Sequence, residues 1–307
     1  MALRYDCGEV ITAMVTPMEK SGAIDYDQVE SLAKQLIESG SDALLVAGTT
    51  GESPTLTNEE EIELVNSVKR AVANKAKIIL GAGSNSTESA IEYSKFAQKE
   101  GVDAILSVVP YYNKPNQRGM IEHFSAVAEA TSLPIILYNI PGRTGVNMLP
   151  ETVAHLARKY DNIVGIKQSF GDMDQVTELR MLCPEDFVIY SGDDSLTLPM
   201  LSLGAHGVIS VASHIFGSEI KSMIRNFKTA DIMAAKNMHL TNMQKKLYPA
   251  FRKLFMAPNP TPVKAALAYK GYINDYVRKP LVSLTEEEKI ELFKVIDAVK
   301  ADLSVEG

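Results

Sequence analysis

A lysine stands where an apolar strand would be buried. Lys167 sits near the end of the run Ile163-Val164-Gly165-Ile166-Lys167-Gln168, and lysine is almost never fully buried unless it is paired or working. An amine withdrawn from water is pushed towards its neutral form, which is a nucleophile for carbonyls. The placement points to imine (Schiff-base) chemistry. A lysine at a strand end that merely reaches solvent has the same signature, and spacing alone does not separate the two.

Other candidate groups fall in short polar loops that directly follow apolar runs. In Gly48-Thr49-Thr50-Gly51-Glu52-Ser53, glycines flank two hydroxyls. Such a loop can turn its backbone N–H groups inward around a carboxylate, or serve as an ordinary turn ahead of a helix cap at Thr57. Pro110-Tyr111-Tyr112-Asn113-Lys114-Pro115 places two tyrosines between prolines, suited to a rigid interface contact or to supplying a phenol. The run Leu137-Tyr138-Asn139-Ile140-Pro141-Gly142-Arg143-Thr144-Gly145 carries a polar-tipped ring and then Arg143. That arginine suits a two-hydrogen-bond grip on a carboxylate, or is a solvated loop charge. Asp193 and Asp194, after Ser191-Gly192, read as a metal or acid pair or, more simply, as a helix N-cap and its neighbour.

Metal and redox chemistry have no motif here. The five histidines are dispersed, no His-Glu-x-x-His or Cys-x-x-Cys occurs, and Cys7 and Cys183 are the only cysteines. That pattern indicates neither zinc nor a dithiol, but two buried free thiols in a reducing cytosol. The net charge of −7 and a pI of about 5.4 argue against a nucleic-acid partner. With 46% hydrophobic and 22% charged residues, the composition is that of a soluble globular chain. Met1 to Asp6 has no apolar signal core, and no stretch approaches a membrane span; the expectation is a cytoplasmic protein.

The elements that must position these groups repeat. Apolar runs occur at Val10–Val15, Asp42–Ala47, Lys77–Gly81, Asp103–Val109, Pro134–Asn139, Asn162–Lys167, Phe187–Ser191 and Gly207–Val211. Most are continuous, the mark of parallel strands covered on both faces. Between them lie helical patterns, such as Val29, Leu32, Ala33, Leu36 and Ile37, or Ile62, Val65, Val68 and Val72. Asp25 with Gln28, Thr57 with Glu60, and Thr285 with Glu288 have capping-box spacing. The period of about 20 to 35 residues fits repeated βα units.

Eight such units predict an α/β fold, a (β/α)8 TIM barrel over residues 1–228, with a C-terminal helical region over 229–307. An open doubly wound sheet is the alternative. It would carry a glycine-rich phosphate loop after its first strand, where Met14-Val15-Thr16-Pro17 stands instead. Gly81-Ala82-Gly83-Ser84 is half a fingerprint and reads as a tight turn. In the C-terminal region, Met233, Met238, Met243 and Met256 read as core filler, and Val263 to Tyr269 as a helix opened by Pro260-Thr261-Pro262.

Barrel enzymes place chemistry at the C-terminal ends of their strands. Lys167 lies at that end of the sixth strand, on the same face as Ile163 and Gly165. Pointing inward costs less than trapping the ammonium under a helix. Gly165 would then leave room for the lysine stem or a substrate.

Taken in order, Gly48-Thr49-Thr50-Gly51-Glu52, Tyr111 to Pro115, Tyr138 to Gly145 and Gly165-Ile166-Lys167 resemble the dihydrodipicolinate (4-hydroxy-tetrahydrodipicolinate) synthase family of the pyruvate-dependent class I aldolases. The resemblance runs through Ser191 to Asp194 and Pro260 to Lys264, essentially the whole chain. It implies condensation of pyruvate with aspartate-4-semialdehyde through an imine on Lys167, in diaminopimelate and lysine biosynthesis. It further implies proton transfer by Tyr138 with a relay through Thr49 and Tyr112, the latter from a neighbouring subunit. Thr50 with Thr49 would hold the pyruvate carboxylate, Arg143 that of the semialdehyde, and Gly192 and Ile209 would line the pyruvate site. No metal or organic cofactor is implied. The family suggests a homotetramer, a dimer of dimers, although some relatives stop at the dimer.

Two departures stand out. Gln168 follows the lysine where relatives often carry an acid; its side chain should face away from the barrel mouth, with modest effect. Asn58, Glu61 and Ser89 occupy positions where lysine-inhibited relatives carry histidines and an acid, which implies weak or absent feedback by lysine. N-acetylneuraminate lyase and keto-deoxy sugar acid aldolases share the lysine and tyrosine, but Arg143 favours a carboxylate over a polyol. A non-catalytic keto-acid sensor would have no chemical reason to hold Lys167, Tyr138, Thr49 and Tyr112 together.

Overall fold

The computed structural model describes residues 3–229 and 234–304, with only the backbone described over 234–239. The elements run β1 (Val10–Ala13), α1 (Tyr26–Glu38), β2 (Ala43–Val46), α2 (Asn58–Val72), β3 (Lys77–Gly81), α3 (Thr87–Lys99), β4 (Ala104–Val108), α4 (Gln117–Ala130) and β5 (Ile135–Asn139). Next come a one-turn helix α5 (Pro141–Thr144), α6 (Pro150–Lys159), β6 (Ile163–Gln168), α7 (Met173–Leu182), β7 (Val188–Ser191), α8 (Thr197–Ser202), β8 (Gly207–Ser210) and α9 (Ser213–Thr229). Three more helices follow, α10 (Ala234–Lys253), α11 (Thr261–Tyr269) and α12 (Glu286–Ser304). The strands close into a barrel in the order β1 to β8, the (β/α)8 architecture the continuous apolar runs predict. All eight strands fall within those runs, save that β6 gains Gln168, and most are a residue or two shorter. The chain divides into two compact units.

The first unit comprises Met1–Ile11 and Lys77–Ile209. Within it β3 to β7 pair in parallel, each with the next, and α3 packs on α4, α4 on α6 and α6 on α7. The strand side chains Ile79, Leu80, Ile105, Ile135, Leu137, Ile163 and Ile189 are shut off from solvent. Continuous apolar strands are what a sheet needs when both of its faces are covered.

Arg4 fixes the entry to β6. Its guanidinium pairs with Asp186 at 3.2 Å and donates to the carbonyl of Ala157 at 2.7 Å and to those of Tyr160 and Ile163 at 3.4 Å. The last carbonyls of a helix have no intrahelical donor and sit at the negative end of its dipole. A cation there closes α6 and holds the turn from which β6 departs. Cys7 and Cys183 are buried free thiols, as expected. Burial pushes Cys7 up to about 12 and Cys183 up to about 11, which leaves both as unreactive thiols.

The second unit comprises Thr12–Ala76 and Ser210–Gly307. Here α1 packs on α2 and α9, and α12 packs on α10 and α11. Thr57 and Glu60 form the full capping box of α2, and Thr285 and Glu288 bond reciprocally ahead of α12. Asp25 accepts from the Gln28 amide, but Gln28 does not complete a box; its Oε1 accepts from the Asn274 amide instead.

The face of α2 differs from expectation in one residue. Ile62 is 37% exposed, whereas Leu64, Val65, Val68, Ala71 and Val72 are buried. The helix is rotated so that Leu64, not Ile62, shares the core with Val68. Met243 is buried and Met256 half-buried, in keeping with core filler. Met233 and the side chain of Met238 lie outside the described residues.

Candidate active site

Lys167 is one residue from the end of β6 and only 6% exposed. Its strand neighbours are Tyr138 on β5 and Tyr190 on β7. The Lys167 Nζ lies over the Tyr138 ring, 4.4 Å from its centroid. Among the described residues no carboxylate pairs with it. The amine is therefore buried against an aromatic face whose quadrupole attracts a cation.

Two glycines make this placement possible, and neither does so by leaving empty space. A Cβ on Gly165 would lie 2.6 Å from the Val188 carbonyl oxygen and 3.2 Å from the Val188 Cβ. The glycine thus serves the close approach of β7, and does not provide the room for the lysine stem that its position suggested. A Cβ on Gly192 would meet the Ser169 Oγ at 1.8 Å and the Lys167 Cε at 3.0 Å. Gly192 is the floor on which the lysine stem and Ser169 rest. The Ser169 Oγ is buried without a hydrogen-bond partner among the described residues. Gly83 also proves to be a close approach, not a tight turn, since its Cβ would sit 2.3 Å from the Val108 amide nitrogen.

The loop after β5 is held from below by amides. Asn139 donates to Gln168 Oε1 at 3.1 Å and to Asn147 Oδ1 at 2.7 Å, and accepts from the Met148 amide at 3.0 Å. Asn147 in turn donates to Gln175 Oε1 at 2.7 Å. Gln168 is fully buried, and its Nε2 has no partner among the described residues. It is a member of this network, on the strand face opposite to Lys167.

Above the network, α5 carries Arg143 on a single helical turn ended by Gly145 at φ +76°. The sequence reads this stretch as a loop because four residues give no period. Arg143 is exposed, and no ion pair engages it among the described residues. Tyr138 is 6% exposed and Ile209 1%.

Tyr112 has the opposite environment. It is 89% exposed, with Tyr111 at 40%. Its backbone is in the left-handed region at φ +72°, followed by Lys114 at +48°. Such backbone is unfavourable for residues other than glycine, and here it thrusts a large ring into solvent. Its hydroxyl has no hydrogen-bond partner among the described residues.

In the second unit, the loop after β2 is built from turns. The amides of Gly51, Glu52 and Ser53 donate to the carbonyls of Gly48, Thr49 and Gly48. Three of the loop's six amides that could have faced an anion are thereby spent, leaving those of Gly48, Thr49 and Thr50. Thr49 is exposed, and Thr50 is 4% exposed. Ala47 at φ +49° and Glu52 at +58° bracket the loop, and Thr16 donates to the Gly51 carbonyl at 2.7 Å.

Asp193 caps the turn Asp194–Leu196, accepting from the Ser195 amide at 2.9 Å. Of its two readings the N-cap holds, and the described residues contain no cluster of His, Cys, Asp or Glu suited to a metal. They also contain no helix long and apolar enough to cross a membrane.

The model of the dihydrodipicolinate synthetase family matches residues 6–299. The chain belongs to that family. It is 52% identical to the 4-hydroxy-tetrahydrodipicolinate synthase of Desulforamulus reducens, covering 95% of this chain and 96% of that one. Among solved structures it is similar to the dihydrodipicolinate synthase of Cyanidioschyzon merolae with lysine bound. There the TM-score is 0.91 and the identity 48%, over 96% of this chain and 98% of the other. It is also similar to the chloride-inhibited enzyme of Acinetobacter baumannii complexed with pyruvate, with TM-score 0.91 and 38% identity over 96% and 99% of the two chains.

Within this family member, sequence reasoning passes over a second buried lysine. Lys264 on α11 is 0% exposed and pairs with Glu52 at 2.5 Å. It also donates to the Tyr276 carbonyl at 2.9 Å. Burial pushes its ammonium down, and Glu52 opposes that shift. The other Glu52 oxygen accepts from the Arg278 amide at 2.8 Å. Asn259 reaches Thr50. The signal available in sequence was only a lysine among the apolar residues Val263 and Ala265–Leu267; its partner Glu52 lies in a polar loop 212 residues away.

Proposed function

We infer that this chain is a 4-hydroxy-tetrahydrodipicolinate synthase, the activity its curated relatives are named for. It condenses pyruvate with aspartate-4-semialdehyde. The observation that carries the reading is Lys167, buried without a carboxylate partner and set against Tyr138.

The Lys167 amine attacks the pyruvate ketone. A C–N bond forms as the C=O π bond breaks, and loss of water leaves the protonated imine. That imine draws electrons from the methyl carbon, so a proton leaves and an enamine results. The enamine carbon attacks the semialdehyde carbonyl, forming the new C–C bond, and the aldehyde oxygen takes a proton.

Tyr138 moves these protons. A free phenol has a pKa near 10 and is a weak base alone, so Tyr138 works through Thr49 and the Tyr112 of a neighbouring subunit. The exposure of Tyr112 at 89% on strained backbone supports a residue built to reach a second copy. Thr50 and Thr49 hold the pyruvate carboxylate, with Gly192 and Ile209 lining that site. Arg143, exposed and unpaired among the described residues, takes the semialdehyde carboxylate. The active form is a homotetramer of two tight dimers, located in the cytoplasm, and residues 229–307 serve the barrel as a helical appendage. Feedback by lysine is weak, given Asn58, Glu61 and Ser89.

Borohydride reduction in the presence of pyruvate tests the imine. The expected product is a covalent pyruvate adduct on the peptide containing Lys167. A protein left unmodified on that peptide would refute the reading.

A further inference from the structure

The carboxylate loop has an anchor outside its own segment. Asn259 Nδ2 donates to Thr50 Oγ1 at 2.9 Å. Both residues are buried, at 7% and 4% exposure. A hydroxyl has one O–H to give and two lone pairs to accept with. With one lone pair taken by the Asn259 amide, the Thr50 O–H is left free to point elsewhere and donate. An anion requires a donor, and a hydroxyl whose rotor has been set in advance loses no orientation freedom on binding one.

We propose that Asn259 is a positioning residue for this reaction, acting through Thr50 by fixing its hydroxyl as a donor to the pyruvate carboxylate. The proposal rests on the pyruvate reading above and adds the residue that sets the polarity of that site.

The rest of the second unit supports a built device. Asn259 stands just ahead of α11, whose Lys264 holds Glu52 at 2.5 Å. Arg278 donates its amide to Glu52 at 2.8 Å, and its guanidinium to the Thr55 carbonyl at 2.6 Å and to Glu60 Oε2 at 2.8 Å. The Thr50–Glu52 loop and the start of α2 are therefore tied to the stretch from Asn259 to Arg278. The Asn259 Oδ1 has no partner among the described residues. A buried carbonyl left unpaired weakens a fold, so the side chain is justified by its N–H donors and not by its oxygen.

A double-mutant cycle on the intact oligomer tests the coupling, read as pyruvate KM and as the pyruvate concentration giving half-maximal borohydride trapping. Asn259→Ala and Thr50→Val are each expected to raise both values about tenfold, the size of one lost hydrogen bond to a charged group. The kcat at saturating pyruvate should stay within about threefold. The double variant should be no worse than Thr50→Val alone, because Asn259 has nothing left to orient. Multiplying effects, near a hundredfold together, would mean a structural role and overturn the proposal.

Asn259→Asp keeps the shape and carries the test if Asn259→Ala does not fold. The ionised acid can only accept, so it turns the Thr50 hydrogen away. KM should rise at pH 8 and return towards the parent value as the pH falls and the acid regains a donor. A KM unchanged by this substitution would also overturn the proposal. If the unsubstituted protein itself traps no pyruvate on Lys167, the parent reading fails; if it does trap and the cycle is multiplicative, only the role of Asn259 fails.

Discussion

Lys167 and Lys264 are both buried, and their surroundings could hardly differ more. Lys264 has a carboxylate at 2.5 Å, a backbone carbonyl at 2.9 Å and no exposure at all. Lys167 has an aromatic face at 4.4 Å and no carboxylate among the described residues. The first is an ion pair that ties down a loop; the second is the amine to which the proposed function assigns bond formation. Burial by itself therefore does not mark a reactive lysine. What distinguishes the two is whether the fold supplies a fixed partner for the charge. Removing either member of the Glu52–Lys264 pair would leave an uncompensated charge in the core, a cost that Lys167, with no carboxylate beside it among the described residues, does not carry.

The two regions also hold their residues by different means. Around Lys167 the positions are set by backbone approach, with Gly165 against Val188 and Gly192 against Ser169. Around Thr50 and Glu52 they are set by polar side chains reaching from the stretch between Asn259 and Arg278. Damage to the first region should fall on chemistry; in the second it should fall on stability at the Glu52–Lys264 pair and on pyruvate binding at the Thr50–Asn259 pair.

The largest effect expected is from Lys167→Ala. It should lower kcat/KM by about a thousandfold or more and remove the borohydride adduct, while thermal unfolding stays near that of the parent. A trapped adduct in this variant would place the nucleophile elsewhere and dissolve the comparison. Lys264→Met should do the reverse. It strands the Glu52 carboxylate in the core and should cost about 3–5 kcal/mol in denaturant unfolding. Adding Glu52→Gln should restore part of that loss. If Lys264→Met instead left stability intact and abolished trapping, the roles assigned to the two lysines would have to be exchanged.

Glu61 sharpens the rule, because it is a buried acid without an ion-pair partner among the described residues. Burial raises its carboxyl to about 7. A folded-state pKa above the unfolded value means that the folded protein binds the proton more tightly. The group's contribution is then fully present below about 4.5 and lost as the pH rises through about 7. Glu61→Gln should therefore stabilise the protein by about 2–3 kcal/mol at pH 8, with the gain vanishing by pH 4.5. Thermal unfolding at the two pH values measures it; equal shifts at both would show that the carboxyl is not taken up neutral. Turnover should not change, which would show that unpaired burial identifies a working group only at a strand end. The smallest effect concerns Ser169. Ser169→Ala removes a hydroxyl with no partner and should raise stability by up to about 1 kcal/mol, seen as a slightly higher unfolding temperature. A fall would mean that the hydroxyl is satisfied in solution.

Much of the site was legible because it lies at strand ends. Continuous Val, Ile and Leu runs read as parallel strands with both faces covered, and in a barrel the polar residues that follow such runs are the first candidates for chemistry. Lys167, Tyr138, Arg143 and the Thr49-Thr50 loop were picked out as candidates that way. The packing register was not legible. Ile62 fits the helical period and is exposed all the same, because a helix can rotate by part of a turn without changing its pattern. Gly165 and Gly83 looked like space or a turn, yet each proved to be a contact with a backbone on the next strand.

By itself the sequence determined the local periods, and through them the eight βα units, the strand that carries Lys167 and the order in which the site residues recur along the chain. Tertiary structure decided which buried charges were given partners. Glu52 and Lys264 are 212 residues apart, and Thr50 and Asn259 are 209 apart. Local propensity carries no information across such separations, since these pairs form only when packing brings distant segments within hydrogen-bond reach. What surrounds each buried lysine is decided at that stage: a carboxylate beside Lys264 and an aromatic face beside Lys167.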